Sequence, residues 1–290
     1  MVKKRVTAPA LTSMKKRGDK IAMLTAYDYT FALLMDQAGV DVLLVGDSLG
    51  MVVQGHDTTI PVTLEEIIYH TRPVKRAAQR AMVVADMPFL SYQINSEEAA
   101  RNAGRLLKEG GADAVKLEGG CKTVPAIEKM VSAGIPVMGH VGLEPQSSKL
   151  LGGHKVQGKS IAAIERLIDD AKALEKAGAF SIVIEAIPWQ AAQLITEAIK
   201  IPTIGIGAGP HCDGQVLVYA DMLGLFTSFQ PHFVRRFAQM GDLSVEAFEK
   251  YCNSVKNGNF PTLEESYTLD DSVLEEMDEK NAHSYKPNRG

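Results

Sequence analysis

The chain has no apolar stretch of membrane-spanning length, no stripe of basic residues and no cysteines at CxxC spacing. A spanning helix needs about twenty consecutive apolar residues, so none is encoded here. A formal net charge of −4 offers no electrostatic footprint for nucleic acid. The three cysteines, Cys121, Cys212 and Cys252, are odd in number and far apart. That argues for a reducing compartment and against a structural zinc site or a disulfide framework. None of the histidines shows the HxH or HExxH spacing of a zinc site. Met1-Val2-Lys3-Lys4-Arg5 is basic but lacks the apolar core of a signal peptide, so a cytoplasmic location is expected.

What the chain does have is a repeated pattern of short apolar runs that end on an acid. They are Val42-Leu43-Leu44-Val45-Gly46-Asp47, Met82-Val83-Val84-Ala85-Asp86, Ala114-Val115-Lys116-Leu117-Glu118 and Ser181-Ile182-Val183-Ile184-Glu185. Runs of this length and composition read as buried strands. A carboxylate at a buried strand end is costly unless it is paired or holds a metal. In parallel α/β proteins the C-terminal strand ends share one rim, where the active site is built. Four acids on one rim point to a divalent cation and a spare base.

Strand-like runs fall at 21–25, 42–45, 82–85, 114–117, 137–139, 181–184, 203–206 and 215–219, with amphipathic helices expected at 64–80, 96–109, 161–177 and 189–199. Thr63 with Glu66 forms a capping box, and Ser96-Glu97-Glu98 places negative charge at a helix start. Ala38-Gly39, Ala133-Gly134 and Ala177-Gly178 supply left-handed helix stops. Eight helix–Gly–strand units imply an α/β fold of the (β/α)8 TIM-barrel class, with a doubly wound sheet as the competing architecture. The segment between the seventh and eighth runs is too short for a helix, so either that helix is missing or the eighth strand is misplaced. Residues 1–261 are expected to form a single barrel domain with C-terminal helices. From Thr262 onward eight acidic residues face three basic ones, which reads as a mobile tail over 262–290.

Several longer motifs resemble the ketopantoate hydroxymethyltransferase family. They are Val45-Gly46-Asp47-Ser48-Leu49-Gly50-Met51-Val52-Val53 with Gly55-His56-Asp57-Thr58-Thr59, then Tyr69-His70-Thr71-Arg72 and Ala85-Asp86-Met87-Pro88-Phe89. Val115-Lys116-Leu117-Glu118-Gly119-Gly120, Gly139-His140-Val141-Gly142-Leu143-Glu144-Pro145-Gln146 and Gly205-Ile206-Gly207-Ala208-Gly209 follow in order. The match runs from about Met23 to about Pro261. The resemblance implies a barrel of the phosphoenolpyruvate/pyruvate type. It also implies transfer of a one-carbon unit from 5,10-methylenetetrahydrofolate to 3-methyl-2-oxobutanoate, giving 2-dehydropantoate. Magnesium is the implied metal and a homodecamer the implied assembly.

On that resemblance Asp47 and Asp86 match metal-ligand positions that also meet the substrate, and Glu118 matches as a ligand or through a bound water. Mg²⁺ usually takes only one or two protein carboxylates, so three acids suffice. Ser48 and Lys116 are expected to bind the substrate carboxylate. Lys116 and Glu118 lie two residues apart and so share a strand face. A structural Lys–Glu pair closing the barrel is compatible with this, and a Schiff-base role for Lys116 is the alternative. Glu185, followed by Ala186-Ile187-Pro188-Trp189, is the expected general base, its pKa raised by an apolar setting; a metal-side supporting role is the alternative. His140 is a possible accessory residue on the same rim. The Gly205–Gly209 run suits close backbone approach of a ligand, and Gly152-Gly153-His154-Lys155-Val156-Gln157-Gly158-Lys159 reads as a lid or a plain surface loop. Barrels of the isocitrate-lyase and phosphoenolpyruvate-mutase kind are a second reading, but they usually carry a KKCG-type loop, whereas Cys121 follows Gly119-Gly120. A non-catalytic barrel is a third, and it predicts the loss of at least one of the four acids.

Overall fold

The structure is a computed structural model that describes residues 4–147, 153, 155–226 and 230–284. Eight parallel strands close into a barrel in sequence order: β1 (Ile21–Thr25), β2 (Val42–Val45), β3 (Met82–Asp86), β4 (Ala114–Lys116), β5 (Val137–Gly142), β6 (Ser181–Glu185), β7 (Thr203–Ile206) and β8 (Gly214–Leu217). β8 pairs back onto β1, with Ile21 opposite Gly214. The barrel prevails over the doubly wound sheet, and the eighth strand lies where the sequence places it. It is the helix between β7 and β8 that is missing: residues 207–213 hold turns and bends.

The strands are apolar on both faces because each face meets a different core. Val42, Leu44, Met82, Val84, Ala114, Met138 and Val183 fill the barrel interior. Their neighbours Leu43, Val45, Val83, Ala85, Val115, Val137, Ile182 and Ile184 pack outward under the helices. Side chains alternate along a strand, so an interior position recurs every second residue. Leu11, on the helix Ala8–Arg17, joins the interior core and plugs the N-terminal end. Lys15 of the same helix pairs with Asp213 at 3.0 Å and donates to the carbonyls of Thr196 and Ile201.

Local signals set the helix starts. Thr63 and Glu66 form the expected capping box on helix Leu64–Ala77. The helix Ser96–Arg105 is capped by Asn95, one residue ahead of the expected start, through a bond from the Glu98 amide. Gly39 ends helix Tyr29–Ala38 at φ 89°, a left-handed conformation that glycine adopts without strain.

The chain separates into two units, Met1–Gln239 and Met240–Gly290. The second contains a helix at Met240–Lys256, a short 3-10 turn at Leu263–Glu265 and a helix at Asp271–Ser284. Among the described residues, no helix is long and apolar enough to cross a membrane.

Candidate active site

Following the interior face of each strand toward the C-terminal rim shows how the site is assembled. On β3 the interior series Met82, Val84 continues to Asp86. On β4 it runs from Ala114 to Lys116 and Glu118, on β5 from Met138 to His140, and on β6 from Val183 to Glu185. Apolar layers thus give way to a charged layer at the rim. The expected residues Asp47, Asp86, Lys116, Glu118, His140 and Glu185 are brought into one cluster.

Asp86 is opposite Lys116 in register, and Lys116 Nζ lies 2.7 Å from Asp86 Oδ1. The other Asp86 oxygen accepts the main-chain N–H of Asp47 at 3.1 Å, which ties the β2 end to the β3 end. Lys116 Nζ is also 3.4 Å from His140 Nδ1. An ammonium only donates, so Nδ1 is the unprotonated acceptor and the ring proton sits on Nε2. That Nε2 is 3.4 Å from Glu185 Oε2 and has no well-aligned hydrogen-bond partner. Glu118 Oε1 is 3.9 Å from His140 Nδ1.

Gly142, at the end of β5, is opposite Glu185 in register and has φ 103°. A Cβ there would stand 2.2 Å from the Glu185 carbonyl oxygen, so glycine is needed for β5 and β6 to meet at this height. Ala186, next after Glu185, also has positive φ, at 48°. It is held by its amide on the Ile206 carbonyl and by the Gln157 amide on its own carbonyl.

The electrostatics follow from four carboxylates around one ammonium. Burial pushes the Glu185 carboxyl up to about 8; Lys116 opposes this and Asp47 and Asp86 add to it. Asp47 is pushed up to about 7 by burial and then by Asp86. Burial and then the Asp47 charge raise Glu118 well above the usual carboxylate range. Asp86 is raised by burial and pulled back by Lys116. For Lys116 itself burial lowers the pKa, but Asp86, Glu118 and Asp47 together outweigh it and hold the ammonium protonated. Such a lysine is a cation, not a free amine nucleophile. His140 is held neutral by burial and by Lys116.

Ser48 and the glycines after β7 also have protein partners of their own. Ser48 lies beside Asp47, its Oγ 2.8 Å from the Tyr27 hydroxyl, and the Tyr27 carbonyl meets His70 Nδ1 at 2.7 Å. The glycines after β7 make room for protein: a Cβ on Gly207 would meet the Phe233 ring at 2.8 Å, and one on Gly209 would meet Trp189 Cβ at 2.2 Å. His211 stacks on Trp189, and His56 is exposed, so neither joins the cluster. Gly152 and His154 of the expected lid lie outside the described residues.

Three residues entered the site without an expected role. Tyr27 orients Ser48, while Tyr92 and Gln146 connect Glu118 with Asp47. Gln146 was visible only as the last letter of a motif, and Tyr92 carried no signal.

The donor set suits a hard divalent cation. Four carboxylates outnumber the single ammonium, and two of them, Asp47 and Asp86, are tied to each other at adjacent strand ends. Among the described residues no group of three or more His, Cys, Asp or Glu side chains is arranged to hold a metal. Mg²⁺ takes one or two carboxylates and completes its shell with water and substrate oxygens, which fits a pair such as Asp47 and Asp86.

A family model described as ketopantoate hydroxymethyltransferase matches residues 5–263. The 3-methyl-2-oxobutanoate hydroxymethyltransferase of Moorella thermoacetica is 57% identical over 263 residues, covering 91% of this chain and 98% of its own. That of Carboxydothermus hydrogenoformans is 56% identical over 273 residues, covering 94% and 99%. Among solved structures, phosphonopyruvate hydrolase in complex with oxalate and Mg++ matches with TM-score 0.59 at 12% identity, covering 98% of this chain and 99% of its own. The 2,3-dimethylmalate lyase of the PEP mutase/isocitrate lyase superfamily matches with TM-score 0.56 at 18% identity, covering 96% and 98%. At those identities the structural likeness carries the fold alone, a closed (β/α)8 barrel.

Proposed function

The chain belongs to the ketopantoate hydroxymethyltransferase family, and from that membership we propose how its rim cluster performs the reaction. It is an enzyme of pantothenate biosynthesis that adds a hydroxymethyl group to 3-methyl-2-oxobutanoate. In our reading the donor is 5,10-methylenetetrahydrofolate. The balance is keto acid, donor and one water going to 2-dehydropantoate and tetrahydrofolate. A C3–H bond of the keto acid and the two C–N bonds of the donor's methylene break. A C–C bond to that carbon and a C–O bond to the water oxygen form, and the C3 proton and one water proton go to the two nitrogens of tetrahydrofolate.

Lys116 and Ser48 hold the substrate carboxylate. The Tyr27 hydroxyl shares a hydrogen bond of 2.8 Å with Ser48 Oγ and so holds that hydroxyl in place. Asp47 and Asp86 are the residues that would hold Mg²⁺, with Glu118 reaching it through water. When bound, that ion supplies a Lewis acid for the negative charge that develops on the keto oxygen. Glu185 takes the C3 proton onto its carboxylate. A base with a pKa near 8 is far better matched to a carbon acid than an ordinary carboxylate. His140 places its Nε2–H 3.4 Å from Glu185 Oε2, beside the base. Glu185 is 17% exposed, which leaves it a face toward the rim opening.

The observation that carries this reading is the cluster itself: four carboxylates and one protonated lysine on a single rim, with the burial-raised Glu185 carboxyl facing neutral His140. Family membership also supports a homodecameric assembly, which sedimentation of the purified protein would check. The chemical test is product formation followed by mass spectrometry, with 3-methyl-2-oxobutanoate and 5,10-methylenetetrahydrofolate as substrates. We expect 2-dehydropantoate to form, to stop on EDTA treatment and to return with Mg²⁺. Undiminished turnover after EDTA treatment would remove the metal from the reading, and no product with the folate donor would remove the donor.

A further inference from the structure

Gln146 lies in the short 3-10 turn Pro145–Ser147 beyond β5 and is 4% exposed. Its Nε2 donates to Asp47 Oδ2 at 2.9 Å and to the Met87 carbonyl at 3.0 Å. Its Oε1 accepts from the Tyr92 hydroxyl at 2.8 Å and from Gln93 Nε2 at 3.1 Å. Its main-chain N–H donates to Glu118 Oε2 at 3.0 Å. Both amide protons and both oxygen lone pairs are used, so the orientation of this amide is determined: a flipped amide would set Oε1 against a carboxylate and a carbonyl. One buried residue of the β5 loop is therefore tied to the ends of β2 and β4 and to the segment that follows β3.

We propose that Gln146 is a positioning residue for the reaction, presenting Asp47 to the cation and holding Glu118 in step with it. The inference rests on the reading of Asp47 as a cation ligand. The Gln146 amide occupies Asp47 Oδ2 and fixes the plane of the carboxylate, so the other oxygen is held ready at the rim. Without it, a buried carboxylate beside Asp86 keeps only the Thr59 hydroxyl as a neutral side-chain donor. Tyr92 braces the device from behind. Its hydroxyl accepts the Glu118 N–H at 3.1 Å and lies within hydrogen-bond distance of both Gln146 Oε1 and the Glu118 carbonyl. A purely structural glutamine would lower the melting temperature and leave the cation affinity of the folded protein unchanged. A positioning residue changes that affinity.

The experiment is a direct titration with Mn²⁺ in place of Mg²⁺, reading free Mn²⁺ by electron paramagnetic resonance, with no substrate and no turnover. Partners that orient a ligand typically alter metal affinity 10–100-fold. Gln146→Leu, folded by circular dichroism, is therefore expected to weaken Mn²⁺ binding about 10–100-fold. Tyr92→Phe, which keeps its shape and loses only the hydroxyl, is expected to weaken it in the same direction and by less. Wild-type affinity in Gln146→Leu overturns the proposal. Should that variant not fold, wild-type affinity in Tyr92→Phe overturns it instead. Asp47→Asn separates the two levels of the argument. If it binds Mn²⁺ as tightly as wild type, the ligand reading fails and the Gln146 proposal falls with it. If it loses binding while Gln146→Leu and Tyr92→Phe keep theirs, only the Gln146 proposal falls.

Discussion

With divalent cations removed, raising the pH from about 6 to about 7.5 is expected to destabilise the protein. Glu185 is raised from 4.5 to about 8 and Asp47 from 3.8 to about 7. Each holds its proton more tightly in the folded state than in the unfolded chain. Between the unfolded and folded values the folded protein therefore binds more protons, and stability falls as pH rises through that window. Each extra bound proton is worth about 1.4 kcal/mol per pH unit. With Glu185 mostly protonated and Asp47 partly so, these two groups alone lose about 2 kcal/mol from pH 6 to 7, or ~4–8 °C in a domain of this size, and the raised Glu118 adds in the same direction. Thermal melts of EDTA-treated protein across this range measure it. Glu185→Gln should flatten the slope by about one proton. Mg²⁺ should restore most of the lost stability at the upper pH, because it binds the ionised carboxylates of the folded state. A metal-free melting temperature that holds level or rises from pH 6 to 7.5 would refute the electrostatic picture of the rim.

Lys116→Met is expected to cost about 3–5 kcal/mol at pH 8 by urea unfolding, because it leaves Asp86 buried without its cation. The cost should shrink at pH 5, where Asp86 can take up a proton; an equal cost at both values would count against an ionised Asp86. Gly142→Ala places a Cβ 2.2 Å from the Glu185 carbonyl oxygen at a φ of 103°. It should cut turnover more than it lowers substrate affinity, and unchanged kcat would show that β5 and β6 can part without moving Glu185. Thr63→Ala removes one half of the capping box on the helix Leu64–Ala77 and should cost about 1 kcal/mol of stability, read by urea unfolding.

The barrel was legible because its signals are local. Runs such as Val42–Val45 and Met82–Asp86 are apolar on both faces, which only a strand covered on both sides tolerates. The acids at the run ends were legible for the same reason: Asp86 and Glu185 continue an interior series of period two, where an uncompensated charge is costly. The missing helix between β7 and β8 showed as a gap too short to hold one. What the sequence hid are contacts between distant segments. Gln146 meets Asp47 across 99 residues and Tyr92 across 54. No spacing rule links such pairs, since closure of the barrel alone brings them together. The Gly205–Gly209 run was ambiguous in the opposite way. Glycine marks close approach without saying by what, and here the Phe233 ring and Trp189 supply it.

The central claim is that Glu185 removes a carbon-bound proton from a keto acid held on this rim. The most direct measurement is proton NMR of 3-methyl-2-oxobutanoate in D₂O with the protein and Mg²⁺, run for wild type and for Glu185→Gln. The account predicts that wild type washes out the C3 proton signal, that EDTA stops the exchange, and that Glu185→Gln does not exchange while still binding the keto acid. Exchange by Glu185→Gln at near the wild-type rate would contradict it.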